Sequence, residues 1–357
     1  MKLKTTLMVS LMLFSLNACS SQNTNTAENT DSASQKIETA MVSKENTSNT
    51  SNSTSNNTSQ KNETVTITDI TGEVEVKRNP EKVVALDNRT FETLSDWQIE
   101  LKAVPKAIMP KDNPYVSNDE VLDIGNHREP DLEKIVEADP DLVIVGQRFQ
   151  SYADEIRDLV PNAQVIDLSW DVSEESEDPA KALVDGLKTS TLNLGKIFDK
   201  EDEAKKLVDD FDKSIEDAKK AYNSEDTVMS LIVNGGEIGY SAPTYGRVWG
   251  PMYGIFGWKP ALDVDDSTSD HKGDDVSVEA IAESNPKWIM VLDRDAAVAK
   301  DDSAKPAKEV IEESEALSNV DAVKNNNIIY APSDTYTNES IQTYIELFEN
   351  IANTMGK

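Results

Sequence analysis

Two stretches, LEKIVEADPDLVIVGQR (132–148) and VEAIAESNPKWIMVLDR (278–294), align without a gap at an offset of 146 residues. Each is typical of a helix that ends before a proline, followed by four or five apolar residues of a buried parallel strand. Arg148 and Arg294 stand just past the carboxyl ends of these strands. Ligands of open α/β sheets bind beyond the carboxyl ends of the strands. The repeat therefore predicts two α/β lobes and a cleft with one arginine on each wall.

The chain around the repeat divides into further segments. An N-terminal α/β lobe is predicted over 64–198, and it opens with TVTITDITGEVEV, whose alternation around a glycine predicts a β-hairpin. Apolar residues at helical spacing predict a long helix over 201–222, within a linking segment 199–223. A C-terminal α/β lobe is predicted over 224–357. The expected fold is thus two Rossmann-like α/β lobes joined by one long backbone helix, with the ligand cleft between the lobes.

The N-terminus has the features of a secretory signal. Residues 1–18 contain the positive segment MKLK, a short apolar run and a small residue before Cys19. LNAC resembles the lipobox of bacterial lipoproteins, in which the cysteine is lipidated, and the alternative is an ordinary secretory signal with a stray cysteine. Residues 19–63 are mainly Ser, Thr, Asn and charged residues, which predicts a disordered tether. We therefore expect a lipid-anchored protein on the extracytoplasmic face of the cell membrane, on a Gram-positive surface.

Charge and composition exclude several classes of function. The formal net charge is −31, which argues against nucleic-acid binding through phosphate contacts. The sequence has no nucleophile elbow, no H-E-x-x-H motif and no P-loop, so nothing indicates an enzyme. Only seven of the 35 basic residues are arginines. Because the planar guanidinium suits planar anions, the arginines are the candidate ligand-binding residues.

Arg247 lies in an unusual setting, the stretch YSAPTYGRVWGPMYGIFGWKP (240–260), where six aromatic residues alternate with glycines and prolines. Such a segment predicts a shaped apolar wall, with Trp249 and Tyr240 as its ligand-facing members and Arg247 as its positive charge. The alternative for Arg247 is a turn residue paired with an acidic surface. His127, in GNHREP, is expected in a surface loop.

Residues 64–357 resemble the substrate-binding lipoproteins of ABC importers for iron–siderophores, in the catecholate (enterobactin- and petrobactin-type) branch. The most specific match is TYGRVWGPMYGIFGWKP…SDHKGDDVSVEAIAESNPKWIMVLDRDAA (244–297). The resemblance implies a bilobal fold with small hinge motion and a ferric catecholate held by Arg148, Arg247 and Arg294.

Some members of that family also supply a histidine and a tyrosine to the iron. His271 in SDHKGDD matches the histidine and Tyr336 in SDTYTNES the tyrosine, with Tyr330 and Tyr240 as alternatives. Ferric iron prefers oxygen ligands and accepts imidazole, so this pair fits an iron whose siderophore leaves two positions open.

The resemblance also implies partners. Glu133 and Glu279 occupy matching places in the repeat and are expected to dock onto an ABC permease, which works with its ATPase. The protein is expected to be a monomeric binding protein without intrinsic cofactor, and ferric iron arrives within its siderophore complex. Alternative cargoes for the same fold are haem, a hydroxamate siderophore or cobalamin, and a tethered adhesin is a further alternative.

Overall fold

The computed structural model describes residues 63–264, 267–270, 272–298 and 304–357. The predicted signal peptide 1–18, the lipidation site Cys19, the tether as far as Asn62 and the predicted iron ligand His271 lie outside the described residues.

The strands of the N-terminal half are β1 (Thr64–Asp69), β2 (Gly72–Lys77), β3 (Val83–Ala85), β4 (Leu101–Val104), β5 (Leu122–Asp123), β6 (Gly125–Asn126), β7 (Glu129–Pro130), β8 (Leu142–Val145) and β9 (Gln164–Asp167). Five of them form a parallel sheet with the strand order β5-β4-β3-β8-β9. The predicted hairpin is present, because β1 and β2 pair antiparallel from Thr64↔Lys77 to Asp69↔Gly72. All four residues of β8 are buried, as expected for a strand covered on both faces.

Six helices accompany this sheet or follow it: α1 (Phe91–Asp96), α2 (Pro114–Ser117), α3 (Glu133–Glu137), α4 (Ala153–Leu159), α5 (Pro179–Phe198) and α6 (Glu201–Ala221). Two short 3-10 helices span Lys106–Ile108 and Gln150–Tyr152. The helix predicted over 201–222 is therefore present as α6.

The strands of the C-terminal half are β10 (Thr227–Asn234), β11 (Glu237–Tyr240), β12 (Lys259–Pro260), β13 (Trp288–Asp293) and β14 (Ile328–Tyr330). They form a second sheet in the order β11-β10-β13-β14, with β12 beside β10. Its helices are α7 (Gly250–Phe256), α8 (Val278–Ser284), α9 (Arg294–Val298), α10 (Ala307–Glu312), α11 (Asp321–Lys324) and α12 (Ile341–Met355). The pairs β10–β13 and β13–β14 are parallel, whereas β11 pairs antiparallel with β10.

The two halves are connected through α5, a helix that the sequence analysis did not single out. Leu183 and Leu187 in its first half belong to the core on the C-terminal sheet, and Leu194 and Ile197 in its second half belong to the core on the N-terminal sheet. Asp199, with φ 59°, ends the helix and leads into α6, which packs on α5 and α12. The predicted bilobal α/β architecture with parallel sheets and long helices is confirmed.

The repeat occupies equivalent places in the two lobes. The helix α3 leads into β8, and α8 leads into β13. Arg148 lies three residues beyond the end of β8, and Arg294 directly follows β13. Both arginines therefore stand at the carboxyl edge of a parallel sheet, where ligands of such folds bind. Within the described residues, no helix has both the length and the apolar character needed to cross a membrane.

Candidate ligand-binding cleft

Two cavities open along the line where the lobes meet. The first has a volume of about 660 Å³, is lined by Arg128, Arg148, Arg247 and Arg294, and is called the arginine cavity here. The second has a volume of about 490 Å³, is lined by Arg89, Trp170 and Glu339, and is called the Trp170 cavity. Gln147 and Arg247 line both. Five of the seven arginines of the chain therefore face this cleft.

The arginine cavity is basic although the protein is strongly acidic. Its lining has no Asp or Glu among the described residues, and it has six cationic side chains: Lys106, Lys111, Arg128, Arg148, Arg247 and Arg294. Its remaining walls are partly apolar, with Ala107, Ile108, Met109, Val116, Ala297 and Val298. Because the local field governs the capture of a small ligand, the net charge of −31 does not prevent this cavity from attracting anions.

Tyr336 lies where the three predicted arginines converge. The guanidinium carbons of Arg247 and Arg294 are each 5.1 Å from the centre of its ring, and that of Arg148 is 5.8 Å away. These distances are typical of cation–π contacts. Arg148 Nη2 also donates a hydrogen bond of 3.0 Å to the main-chain oxygen of Tyr336. The structure thus brings together four predicted site residues that lie far apart in the sequence.

The arginines influence one another. Burial, followed by the nearby charge of Arg247, lowers the pKa of the Arg148 guanidinium. Such like-charge crowding is unfavourable, so an anion bound between these groups gains from every arginine it contacts. The Arg294 side chain is held in position by a hydrogen bond that its Nη1 donates to Asn234 Oδ1 at 2.5 Å.

His127 lies in a turn, as the sequence analysis expected, but its side chain faces the cleft. It lies at the tip of the β6–β7 hairpin, is half-buried, and lines the arginine cavity. Within the described part of the chain, its Nδ1 is buried without a hydrogen-bond partner. Burial, with the charges of Arg148 and Arg128, lowers its pKa, which favours the neutral imidazole. The sequence analysis did not foresee its place at the cavity, because a short polar turn has no periodicity that shows which lobe surface it faces.

The local backbone explains how Arg247 reaches both cavities. Val248, the next residue, has φ 63°, a left-handed conformation that is costly for a β-branched side chain. Trp249 N donates to Arg247 O at 2.7 Å, which closes a tight turn immediately before α7. The turn presents Arg247 to the cleft while Trp249 points into the core.

Trp249 and Tyr240 do not line either cavity, so their predicted contact with the ligand finds no support in the structure. Trp249 is fully buried beside Trp258 in the core, with ring centres 6.4 Å apart. Tyr240 is also buried, and its hydroxyl donates to Leu262 O at 2.6 Å. The mistake has a physical cause: aromatic residues beside a turn have the same spacing whether they fill a core or line a pocket.

The other alternative tyrosine lies away from the cleft too. The Tyr330 hydroxyl donates to Glu312 Oε1 at 3.3 Å, and the residue lines neither cavity. Of the three candidate tyrosines, Tyr336 is the one at the cavity. Among the described residues, no group of three or more His, Cys, Asp or Glu side chains forms a metal site.

Arg89 is a cleft residue that the sequence analysis missed. Its side chain is only 2% exposed, and its guanidinium carbon lies 3.7 Å from the centre of the Trp170 ring. Glu339 pairs with Arg247 through Oε1, and its Oε2 lies 3.7 Å from Arg89 Nε. Arg89 follows β3 as Arg148 follows β8, so the rule that found Arg148 applies equally to the segment KVVALDNR.

Glu133 and Glu279 lie in equivalent places on the two lobes. Both are exposed, and each lies in the first turn of its helix, α3 or α8. They are therefore accessible to a partner.

Residues 83–335 match the family model described as periplasmic binding protein. The chain belongs to this family. It is 31% identical over 264 residues to the petrobactin-binding protein YclQ of Bacillus subtilis. The aligned region covers 73% of this chain and 77% of YclQ. It is 25% identical over 271 residues to the ferric-anguibactin-binding protein FatB of Vibrio anguillarum, covering 74% and 79% respectively.

Solved structures agree with this assignment. The crystal structure of YclQ matches with a TM-score of 0.67 at 29% identity, covering 83% of this chain and 99% of that one. The catecholate-siderophore binding protein VctP of Vibrio cholerae matches with a TM-score of 0.68 at 24% identity, covering 82% and 99%, and supports the fold alone. The matched family and YclQ are binding proteins, so the present chain is a solute-binding protein and not an enzyme.

Proposed function

We propose that the protein captures a ferric catecholate siderophore outside the cytoplasm and delivers it to an ABC permease for iron uptake. One observation carries the proposal: Arg148, Arg247 and Arg294 converge on Tyr336 in a cavity whose described lining has six cations and no carboxylate.

The chemistry of a ferric catecholate suits this cavity. A deprotonated ferric tris-catecholate spreads three negative charges over oxygens on planar rings. Guanidinium groups offer charge-assisted hydrogen bonds to the oxygens and stack on the ring faces. The apolar residues Ile108 and Met109 supply contact surface for the rings. Similarity to YclQ and FatB, which are named for binding petrobactin and ferric anguibactin, supports an iron–siderophore cargo.

The alternative cargoes fit less well. A ferric tris-hydroxamate is neutral, and haem and cobalamin carry fewer negative charges than a ferric tris-catecholate, so each matches the charge of this cation-rich lining less well. When a siderophore leaves two iron positions open, we propose that Tyr336 and His271 complete the coordination. Tyr336 is 7% exposed beside the cavity, and His271 lies outside the described residues.

Delivery and anchoring belong to the same proposal. The exposed Glu133 and Glu279 present one carboxylate on each lobe for a permease. Lipidation of Cys19 would hold the protein at the extracytoplasmic face of the membrane, beside the permease, whose ATPase works on the cytoplasmic side.

The test is a titration of the protein with ferric tris-catecholate, ferric bis-catecholate, ferric hydroxamate and haem, followed by tryptophan fluorescence. We expect catecholates to bind, and Arg247→Ala and Arg294→Ala to weaken them at least about tenfold, equivalent to about 1.4 kcal/mol each. Arg157→Ala is the matched control, because Arg157 is a surface residue of α4 paired with Asp154 at 2.7 Å. Binding of haem or hydroxamate without catecholate binding would refute the proposed cargo.

A further inference from the structure

A buried carboxylate lies directly behind the arginine cavity. Glu339 has a side chain only 6% exposed and stands two residues before α12. Its Oε1 pairs with Arg247, which lines the arginine cavity, and its Oε2 lies 3.7 Å from Arg89 Nε. Arg89 comes from the N-terminal lobe, so a single carboxylate is shared by cations from both lobes.

The arginines of the cavity do not have equivalent partners. Arg148 donates to the main-chain oxygen of Tyr336, and Arg294 donates to the amide oxygen of Asn234, so the hydrogen bonds of both go to neutral acceptors. Arg247 instead has the charged partner Glu339. A ligand anion that reaches Arg247 therefore competes with a carboxylate that is already in place.

Burial makes this competition strong. Charges in a partly desolvated site interact over several ångströms with little screening, so each negative charge on the ligand is repelled by Glu339 while it is attracted by the arginines. A carboxylate in this position lowers the effective positive charge of the cavity by about one unit. The resulting penalty increases with the number of negative charges on the ligand.

We propose that Glu339 is a specificity-determining residue that sets the charge of the ferric complex the cleft accepts. It disfavours complexes with three negative charges relative to complexes of the same shape with fewer charges. This inference rests on the proposed function, since it concerns the same anionic cargo.

Glu339 is suited to this role because its loop is held independently of its carboxylate. Asn338 Nδ2 donates to Glu92 Oε2 at 3.0 Å, and the Ser340 hydroxyl also donates to Glu92. Ser340 Oγ then accepts from Thr343 N at 3.1 Å as the cap of α12. Glu339→Gln therefore removes the charge while the segment 338–340 keeps its anchors.

The experiment compares two complexes of one hexadentate tris-catecholate chelator, with gallium(III) and with titanium(IV). Both are octahedral, and the gallium complex carries three negative charges whereas the titanium complex carries two. Both are titrated into the full protein and its variants, and the ratio of the two affinities is the measured quantity. We expect Glu339→Gln to shift this ratio about tenfold towards the gallium complex.

Two variants separate charge from structure. Glu339→Asp keeps the charge, so its ratio should stay within about twofold of wild type even if both affinities fall. Glu175→Gln removes the same charge from an exposed position on the Trp170 cavity, where solvent screens it, and should also change the ratio less than about twofold. An unchanged ratio in Glu339→Gln, with both complexes still bound, would overturn the inference and leave the proposed function standing. If wild type binds neither complex, the proposed function fails and the inference fails with it.

Discussion

Each lobe has an equivalent pair of facing residues on two neighbouring strands, and the side chains of this pair differ in character between the lobes. In the C-terminal lobe, Ile232 pairs with Leu292 in the β10–β13 register, and both side chains are fully buried in the core. Continuing the β3–β8 register in the N-terminal lobe places Asp87 opposite Gly146. A Cβ at Gly146 would lie 2.2 Å from Asp87 Cγ, so the carboxyl group occupies the space that a side chain at position 146 would fill.

This difference is connected to the cleft. Asp87 Oδ1 accepts from Arg89 N at 3.2 Å, and Thr90 N donates to Asp87 O at 3.1 Å, so Asp87 supports the turn that presents Arg89. Burial raises the pKa of Asp87 to about 6, against the lowering effect of Arg89. The C-terminal lobe thus has apolar packing at this pair of positions. The N-terminal lobe lacks that packing and instead has Asp87, which supports a polar turn at the cleft.

The largest expected effects come from placing alanine at both equivalent positions. Leu292→Ala should lower the free energy of unfolding by about 2–5 kcal/mol because it leaves a cavity. Gly146→Ala should lower it by about 1–3 kcal/mol because it overpacks against Asp87. Urea unfolding measures both, and Asp87→Ala should partly rescue Gly146→Ala, since it removes Cγ and Oδ2, the two closest atoms. A fully stable Gly146→Ala would break the comparison between the lobes.

The next largest effect is on ligand binding and concerns Arg148 and Arg294, the two arginines of the sequence repeat. Arg148→Ala and Arg294→Ala should each weaken catecholate binding at least about tenfold, because each loses a charge-assisted contact. Of these two arginines, Arg148 is the one that contacts the other lobe, because it donates a hydrogen bond to the main-chain oxygen of Tyr336. In the ligand-free protein, Arg148→Ala should therefore speed amide hydrogen exchange in residues 334–340, whereas Arg294→Ala should not. Equal rates of amide hydrogen exchange in residues 334–340 of the two variants would contradict this difference between Arg148 and Arg294.

The smallest effect is a pH dependence located in the N-terminal lobe. The folded-state pKa of Asp87 is raised from 3.8 to about 6, so its contribution to stability is fully present below 3.8 and is lost as the pH rises through about 6. The slope is at most about 1.4 kcal/mol per pH unit. Relative to wild type, Asp87→Asn should therefore gain stability between pH 5 and pH 7 in urea unfolding. Parallel pH profiles for the two proteins would contradict a raised pKa.

The residues that sequence reasoning located share one property. Arg148 and Arg294 follow buried strands, so the helix–strand pattern alone places them at the edge of a sheet. Arg89 obeys the same rule and was accessible to it. Trp249 and Tyr240 were misjudged, and the place of His127 at the cavity was not foreseen, because composition and spacing do not show whether a side chain near a turn faces the core, the cleft or the solvent.

The sequence by itself determined the two α/β lobes, the hairpin at their start and an arginine at each sheet edge, because apolar periodicity and chain breaks are local properties of the chain. Only the tertiary structure decided that α5 contributes to both cores and that Arg247 meets Glu339, 92 residues later. It also decided that Tyr336 lies among three arginines. The physical reason is that these contacts depend on how the lobes pack across the cleft, and no local pattern encodes that packing.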